Sequence, residues 1–84
     1  MITLEDEAQA GIISDDRAKY DRLTERERTV LGYIARGFTA PEIGTKMSIS
    51  AKTVDTYKQR IGLKIFLHHR SEFVAFALRI GLLS

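Results

Sequence analysis

The fold of this chain is decided by residues 39–65, which read TAPEIGTKMSISAKTVDTYKQRIGLKI. The spacing predicts a short helix over Ala40–Met47 and a longer one over Ala51–Ile65. A tight polar turn, Ser48-Ile49-Ser50, joins them. Two helices separated by so short a turn are typical of a helix–turn–helix.

Both helices carry start signals. Thr39 with Glu42 three residues later forms a capping box, and Ser50 is a favourable N-cap for the longer helix. Gly44 provides the small residue needed where two helices approach closely. Apolar residues occupy the positions where the helices would cross, namely Ile43, Met47, Ile49, Val54 and Tyr57. Together these features predict a unit that reads DNA.

The longer helix has one apolar and one polar side. Its apolar side holds Val54, Tyr57, Ile61 and Ile65. Its outer side combines cations, which neutralise phosphates, with hydroxyl and amide groups, which address base edges. A solvated helix face is the alternative for this side alone. The predicted DNA-binding residues are Thr39, Ser50, Lys52, Thr53, Asp55, Thr56, Lys58, Gln59 and Arg60.

Composition limits the class of protein. The chain has 84 residues, enough for one small domain, and its 44% hydrophobic and 29% charged residues are typical of a globular chain. It has no Cys, which excludes disulfides, thiolate zinc sites and cysteine nucleophiles. No apolar run reaches the roughly 18 residues of a membrane span. The first residues, MITLEDEAQAG, are acidic and lack the basic and apolar regions that are typical of a secretory signal. We expect no catalytic residues, metal or cofactor, and a bacterial cytoplasmic location.

Charge is unevenly distributed along the chain. Residues 1–22 hold six acidic and three basic residues, whereas residues 23–84 hold five acidic and ten basic ones. We predict an acidic linker or leader over 1–22 and a basic DNA-binding domain over 23–84. The alternative for the leader is a helix, including Ile2 to Ile13, that packs on a neighbouring domain.

A further helix is predicted on each side of the helix–turn–helix. Thr24 and Glu27 form a capping box that opens a helix through about Arg36, and Gly37 is its stop. Glu27 is expected to be a capping group at the surface, with a pairing to Arg70 as the alternative. Ser71 is predicted to cap the last helix.

This last helix, residues 71–80, has two apolar faces. Phe73, Phe76, Ala77 and Ile80 form one stripe, which is sufficient for the core. Val74, Ala75 and Leu78 form the second, which predicts a contact with another copy of the chain. Internal packing of both faces is the alternative.

Residues 23–83 resemble the LuxR/GerE-type DNA-binding domain, the output module of NarL-like response regulators and quorum-sensing receptors. The resemblance implies an all-α fold, a four-helix bundle with a central helix–turn–helix. It also implies binding of inverted-repeat double-stranded DNA as a homodimer, with RNA polymerase as a further candidate partner. A receiver or ligand-binding domain would normally precede such a module, and a single-domain regulator is the other reading. The matching pieces are Leu23-Thr24-Glu25-Arg26-Glu27-Arg28, Val30-Leu31, Ile34-Ala35, Gly37, Glu42-Ile43-Gly44, Ile49-Ser50, Thr53-Val54, Thr56-Tyr57-Lys58, Arg60-Ile61, Lys64, Arg70-Ser71-Glu72, Phe73-Val74 and Arg79-Ile80-Gly81-Leu82-Leu83.

The sequence departs from the family pattern at Asp55, at Tyr57, at Gly62-Leu63 and at Ile65. Asp55 stands where many members carry a basic residue, and it could accept from cytosine N4, repel the wrong sequence, or pair with Lys52 or Lys58. Gly62-Leu63 is expected to weaken the end of the longer helix.

Two other classes fit part of the pattern. A sigma-factor region four also places an ERER helix before a helix–turn–helix, but usually lacks the last capped helix. A protein-interaction adaptor would use the same helical surfaces without DNA. DNA binding that weakens steeply with salt would distinguish a DNA-binding protein from the adaptor.

Overall fold

The computed structural model describes residues 15–83, and every regular element in that range is a helix. Residues 15–21 form α1. The remaining helices are α2 (Glu25–Ala35), α3 (Ala40–Met47), α4 (Ala51–Ile65) and α5 (Arg70–Arg79). The predicted all-α class is confirmed, with all four predicted helices present and α1 in addition. The leader residues proposed as an amphipathic helix, from Ile2 to Ile13, lie outside the described range.

The helix starts of α2, α3 and α4 are stabilised by the side chains that the sequence indicated. In α2, the Thr24 hydroxyl accepts from the Glu27 N–H at 3.1 Å, and the Glu27 carboxylate accepts from the Thr24 N–H at 2.8 Å. Thr39 and Glu42 form the same reciprocal pair at α3. Ser50 accepts from the Thr53 N–H at 3.0 Å. Each cap satisfies backbone donors that have no partner inside the helix.

The start of α5 differs from the prediction. The helix begins at Arg70 with His69 as its N-cap, so the assignment of Ser71 as the cap was wrong. The physical reason is the Glu72 carboxylate, which reaches back and accepts from the N–H groups of His68 and His69 at 3.3 and 3.1 Å. Ser71 therefore lies within the first turn.

The core lies around α2, which packs against α3, α4 and α5. Burial of apolar side chains from all of these helices provides the main stabilisation. Phe73 and Phe76, the largest of them, place α5 against this core. The buried cluster consists of Leu23, Val30, Leu31, Ile34, Ile43, Val54, Ile61, Ile65, Leu67, Phe73 and Phe76.

The helix–turn–helix depends on a close approach at Gly44. A Cβ atom there would lie 2.6 Å from the Ile49 carbonyl oxygen and 3.3 Å from the Ala51 nitrogen. Ser48 ends α3 in the left-handed conformation, with φ 58°, and the Ile49 N–H donates to the Gly44 carbonyl at 2.9 Å. The predicted role of Gly44 is confirmed, and it fixes the position of α4 relative to α3.

Helix α1 packs on the domain from within the range assigned to the linker. Asp16 is only 4% exposed, and its carboxylate accepts from Arg79 Nε at 2.6 Å. The Arg28 guanidinium lies 5.1 Å from the Tyr20 ring centroid and donates to the carbonyls of Tyr20 and Asp21. These contacts join α1 to α2 and α5.

Glu27 is a buried residue and not the surface group that was expected. It is 2% exposed, and its carboxylate lies 2.6 Å from Lys64 Nζ. Burial by itself would raise the pKa of Glu27, but hydrogen bonds from Lys64 and Thr24 outweigh burial and lower the pKa below its ordinary value of 4.5. The alternative pairing with Arg70 is not formed, because that guanidinium donates to the Gly37 carbonyl at 2.9 Å.

Within residues 15–83, no helix combines the length and the apolar character that crossing a membrane requires.

Candidate nucleic-acid interface

The candidate interface is the outward face of α4, defined by Lys52, Thr56 and Gln59, which are all exposed. These residues lie four and three positions apart, so they follow one another along one side of the helix. Val54 and Ile61 on the opposite side are buried in the core. The core contacts therefore fix which side of α4 faces outward.

Most of the predicted site residues are brought together on one element. Eight of the nine lie on α4 or at its N-cap, and Thr39 is the exception because it caps α3. Within the predicted set, Lys58 alone is half-buried and the others are exposed. The half-buried position of Lys58 fits the prediction that its stem lies along apolar surface while its ammonium reaches outward.

Within the described residues, three of the four basic residues of α4 are free of acidic partners, and the fourth, Lys64, pairs with Glu27. Among residues 15–83, Lys52, Lys58 and Arg60 form no ion pair. The Arg60 guanidinium lies 5.8 Å from the Tyr57 ring centroid, a contact that orients it without neutralising its charge. Three unneutralised charges on one short helix attract a polyanion.

Asp55 is also free of a charged partner on this helix. It is exposed and forms no ion pair with Lys52 or Lys58 within the described chain. Of the three roles considered for it, simple pairing with a neighbouring lysine is therefore not observed. Its carboxylate remains an acceptor that would favour a cytosine amino group and oppose a phosphate.

The hydroxyl groups differ in what they can offer to DNA. Thr56 is exposed and its hydroxyl donates to the Lys52 carbonyl at 3.1 Å, so a methyl group and an acceptor oxygen are what this side chain can offer to DNA. Ser50 and Thr53 share one hydrogen bond of 2.8 Å, so one of the two retains a free O–H proton. Such a proton can be donated to a phosphate oxygen.

Thr39 is less suited to a DNA contact than the sequence suggested. Its hydroxyl donates to Glu42 Oε1 at 2.9 Å, so no proton remains for a phosphate. The backbone N–H and hydroxyl of Thr39 lower the pKa of Glu42 below its ordinary value of 4.5, which keeps that carboxylate charged. A negative charge beside Thr39 opposes an approaching phosphate.

One exposed residue at the end of α4, Leu63, was considered in the sequence analysis only as part of a weakened helix end. Leu63 is 77% exposed at the end of α4. Gly62 does not break the helix, which continues to Ile65; a Cβ at Gly62 would lie 2.7 Å from the Leu67 carbonyl oxygen. The helical spacing of Leu63 from Lys52 and Thr56 was the available signal. A shallow groove of about 570 Å³ beside it is lined by Asp55, Lys58, Gln59, Gly62, Leu63, Leu67 and His68.

The two faces of α5 separate as their sequence pattern indicated. Phe73, Phe76 and Ala77 are buried. On the second face Leu78 is 53% exposed, Ala75 is exposed and Val74 is half-buried. Internal packing of both faces, the alternative considered above, is not observed in the described part of the chain.

Comparison with known proteins identifies the family. The family model described as bacterial regulatory proteins, luxR family, matches residues 21–77. A putative transcriptional regulator of Pseudomonas aeruginosa is 44% identical over 59 residues, covering 70% of this chain and 28% of that protein. The DNA-binding transcriptional activator EvgA of Escherichia coli is 38% identical over 69 residues, covering 82% of this chain and 34% of that protein.

A third relative is matched over a similar share of its length. The oxygen regulatory protein NreC of Staphylococcus epidermidis is 32% identical over 77 residues, covering 92% of this chain and 35% of that protein. The chain thus spans about a third of the length of these curated relatives. No solved structure matches the chain. From the matched residues and the helix–turn–helix that they form, this chain belongs to the luxR family of bacterial regulatory proteins.

Proposed function

We propose that this chain is the DNA-binding module of a transcription regulator, that α4 reads the major groove, and that α5 pairs two copies on an inverted repeat. The observation that carries the proposal is the outward face of α4, with polar readers and unneutralised cations on a helix fixed by the Gly44 contact. A cytoplasmic location and a contact with RNA polymerase belong to the same proposal. Family membership supports the DNA-binding role.

The first step of binding is electrostatic. Lys52, Lys58 and Arg60 contact phosphates at the edges of the groove and release the counterions condensed there. Thr53 or Ser50 adds a neutral hydrogen bond to a phosphate. These contacts position α4 and carry no sequence information by themselves.

The second step is base reading. Gln59 offers both a donor and an acceptor, which suits the N7 and N6 edge of adenine. The Thr56 methyl group and lone pairs suit a thymine methyl or a base amino group. Asp55 accepts from cytosine N4 and disfavours positions that would bring a phosphate close.

The phosphate step is tested by the Lys58→Ala variant in titrations of random and operator DNA across a salt series. We expect both affinities to fall to similar degrees, and the slope of log K against log[salt] to flatten by about one unit. Lys19→Ala, which removes a lysine from α1, serves as the control and should leave the slope unchanged. Full affinity with an unchanged slope for Lys58→Ala would remove Lys58 from the interface. If wild-type protein shows no salt-dependent binding to DNA, a protein-interaction adaptor would be favoured instead.

The position of Asp55 has its own test. Asp55→Lys replaces a repulsion by an attraction and should raise affinity for random DNA. If random-DNA binding were unaltered, Asp55 would face away from the duplex.

The exposed apolar face of α5 supports the proposal that two copies pair through this helix. So small a patch gives weak association in solution, since stable interfaces bury about 1,200–2,000 Å² in total. Adjacent half-sites raise the local concentration of the two copies, so DNA assists the pairing. Two α4 helices about one helical turn apart then require an inverted repeat of fixed spacing.

Leu78→Asp tests this pairing. Because Leu78 is 53% exposed, the variant should keep its helical circular dichroism and its binding to a single half-site. Cooperative filling of the full site should be lost. Retained cooperativity would contradict the dimer, and outright unfolding would show that this face belongs to the core.

A further inference from the structure

Leu63 lies on the same side of α4 as the proposed base readers. At about 100° per residue, it is roughly 20° from Lys52 and from Thr56 around the helix axis. It points away from Val54, which is buried in the core. Of the large exposed hydrophobic side chains among residues 15–83, Leu63 is the most exposed at 77%.

The spacing of Leu63 from the proposed base readers along the α4 axis allows all of them to lie in one major groove. With a rise of about 1.5 Å per residue, Leu63 lies roughly 6 Å beyond Gln59 and roughly 10.5 Å beyond Thr56. The major groove of B-DNA, about 12 Å wide, admits an α-helix. A helix that lies along the groove and inserts Thr56 and Gln59 carries Leu63 about one turn further along the same groove.

The chemistry of leucine restricts what it can recognise there. Its side chain has no donor, acceptor or charge, so it gains nothing from a phosphate or from a polar base edge. The apolar group that base pairs display in the major groove is the C5-methyl group of thymine. From this position and chemistry, we propose that Leu63 contacts a thymine methyl group and so extends the sequence read by α4. This inference rests on the proposed function.

A protein partner is the other occupant to consider. Phe66 is also exposed, at 69%, but it follows the helix end with φ 61° and does not continue the outward face. A Phe side chain offers about 150–250 Å². Together with one leucine, this is far below the roughly 1,200–2,000 Å² of a stable protein interface. DNA supplies the missing affinity through its phosphates, so the surroundings of Leu63 favour DNA.

The test uses the operator that wild-type protein selects from random duplexes, with each thymine replaced in turn by uracil. Uracil keeps every hydrogen-bonding group and removes only the methyl group. Wild type should lose about fourfold in affinity at one thymine of each half-site, the value expected for one buried methyl-sized group. Leu63→Ala should show no loss at that thymine. Phe66→Ala, which removes another exposed hydrophobic side chain near the end of α4, should keep the wild-type pattern.

Two results would overturn the inference. One is an equal loss in wild type and Leu63→Ala at every thymine. The other is a wild-type protein that prefers its selected operator yet tolerates uracil everywhere, which would leave Leu63 for a protein contact. Failure of the proposed function is a separate outcome, in which wild type shows no preference for the selected operator over random DNA.

Discussion

The same substitution, Gly→Ala, can be tested at two helical glycines of this domain whose surroundings differ. Gly44 lies in α3 at the contact with the turn, and Gly32 lies in α2. A Cβ at Gly44 meets the Ile49 carbonyl oxygen at 2.6 Å, whereas a Cβ at Gly32 meets only the end of the flexible Arg36 side chain at 3.3 Å. We therefore expect Gly→Ala to destabilise the domain at Gly44 and to stabilise it at Gly32.

The magnitudes follow from two opposing terms. Each substitution gains about 0.8–1.0 kcal/mol because alanine favours the helix. At Gly44 the turn backbone must also move, and overpacking typically costs about 1–3 kcal/mol. Since the Cβ would clash with backbone atoms, the upper part of that range applies. The net change is a loss of about 1–2 kcal/mol at Gly44 and a gain of about 1 kcal/mol at Gly32.

Urea and thermal unfolding followed by far-ultraviolet circular dichroism measure both variants. For a domain of this size, 1 kcal/mol shifts Tm by roughly 4–8 °C, so the two midpoints should separate clearly. Gly44→Ala should also lose operator affinity, because α4 shifts relative to α3, while Gly32→Ala should retain it. A Gly44→Ala protein as stable as wild type would refute the role of this close approach.

Three further variants test the buried charges and the end of α4. Glu27→Gln should lower the free energy of unfolding by about 1–3 kcal/mol near neutral pH. Folding lowers the pKa of Glu27 below 4.5, so the stabilisation of the fold by the charged carboxylate is present above that value and is lost as pH falls. The free energies of unfolding of wild type and Glu27→Gln should therefore converge in acid. A difference between them that stays constant with pH would contradict this role of Glu27. Phe66→Gly should raise stability by about 0.5–1 kcal/mol, measured by urea unfolding, because glycine relieves the left-handed backbone; a loss would show that the ring packs. Asp16→Asn should cost about 1–2 kcal/mol in the same assay, whereas the exposed control Asp15→Asn should cost less than about 0.5 kcal/mol; equal costs would mean that burial of the Asp16 pair contributes nothing.

The central part of the fold could be predicted because its determinants are local in sequence. Capping pairs such as Thr24 with Glu27 and Thr39 with Glu42 lie three residues apart, and they form the hydrogen bonds that their spacing indicates. The close approach at Gly44 was predictable because the turn follows within five residues. The start of α5 was missed because Ser71 is a favoured cap type, and the competing Glu72 contact needs the backbone geometry of the preceding residues.

Contacts between residues that are far apart in the sequence leave no local sequence pattern from which they could be predicted. Asp16 and Arg79 are 63 residues apart, and Glu27 and Lys64 are 37 apart. Each acid occurs in a charged run that looks like solvated surface. Their burial depends on how the helices pack, so α1 and the inner position of Glu27 could not be derived from local spacing.

The face of α4 that forms the candidate site could be predicted from the sequence, but the hydrogen bonds of its individual side chains could not. Helical periodicity placed Lys52, Thr56 and Gln59 together and opposite the core. The hydroxyl proton of Thr39 is engaged by Glu42, which only the side-chain geometry reveals. Leu63 was considered only together with Gly62, as a pair expected to weaken the helix end, and not as part of the outward face.

Selection from a random duplex pool, carried out in parallel with wild type and Gln59→Ala, tests most directly whether α4 reads DNA sequence. Gln59 is exposed on the outward face, so the substitution should leave the fold and non-specific binding intact. Wild type should enrich an inverted repeat, and Gln59→Ala should lose preference at one or two symmetry-related positions, a cost of roughly 1–3 kcal/mol at each. Enrichment of the same motif to the same degree by both proteins, or of no motif by wild type, would contradict reading of DNA by this face.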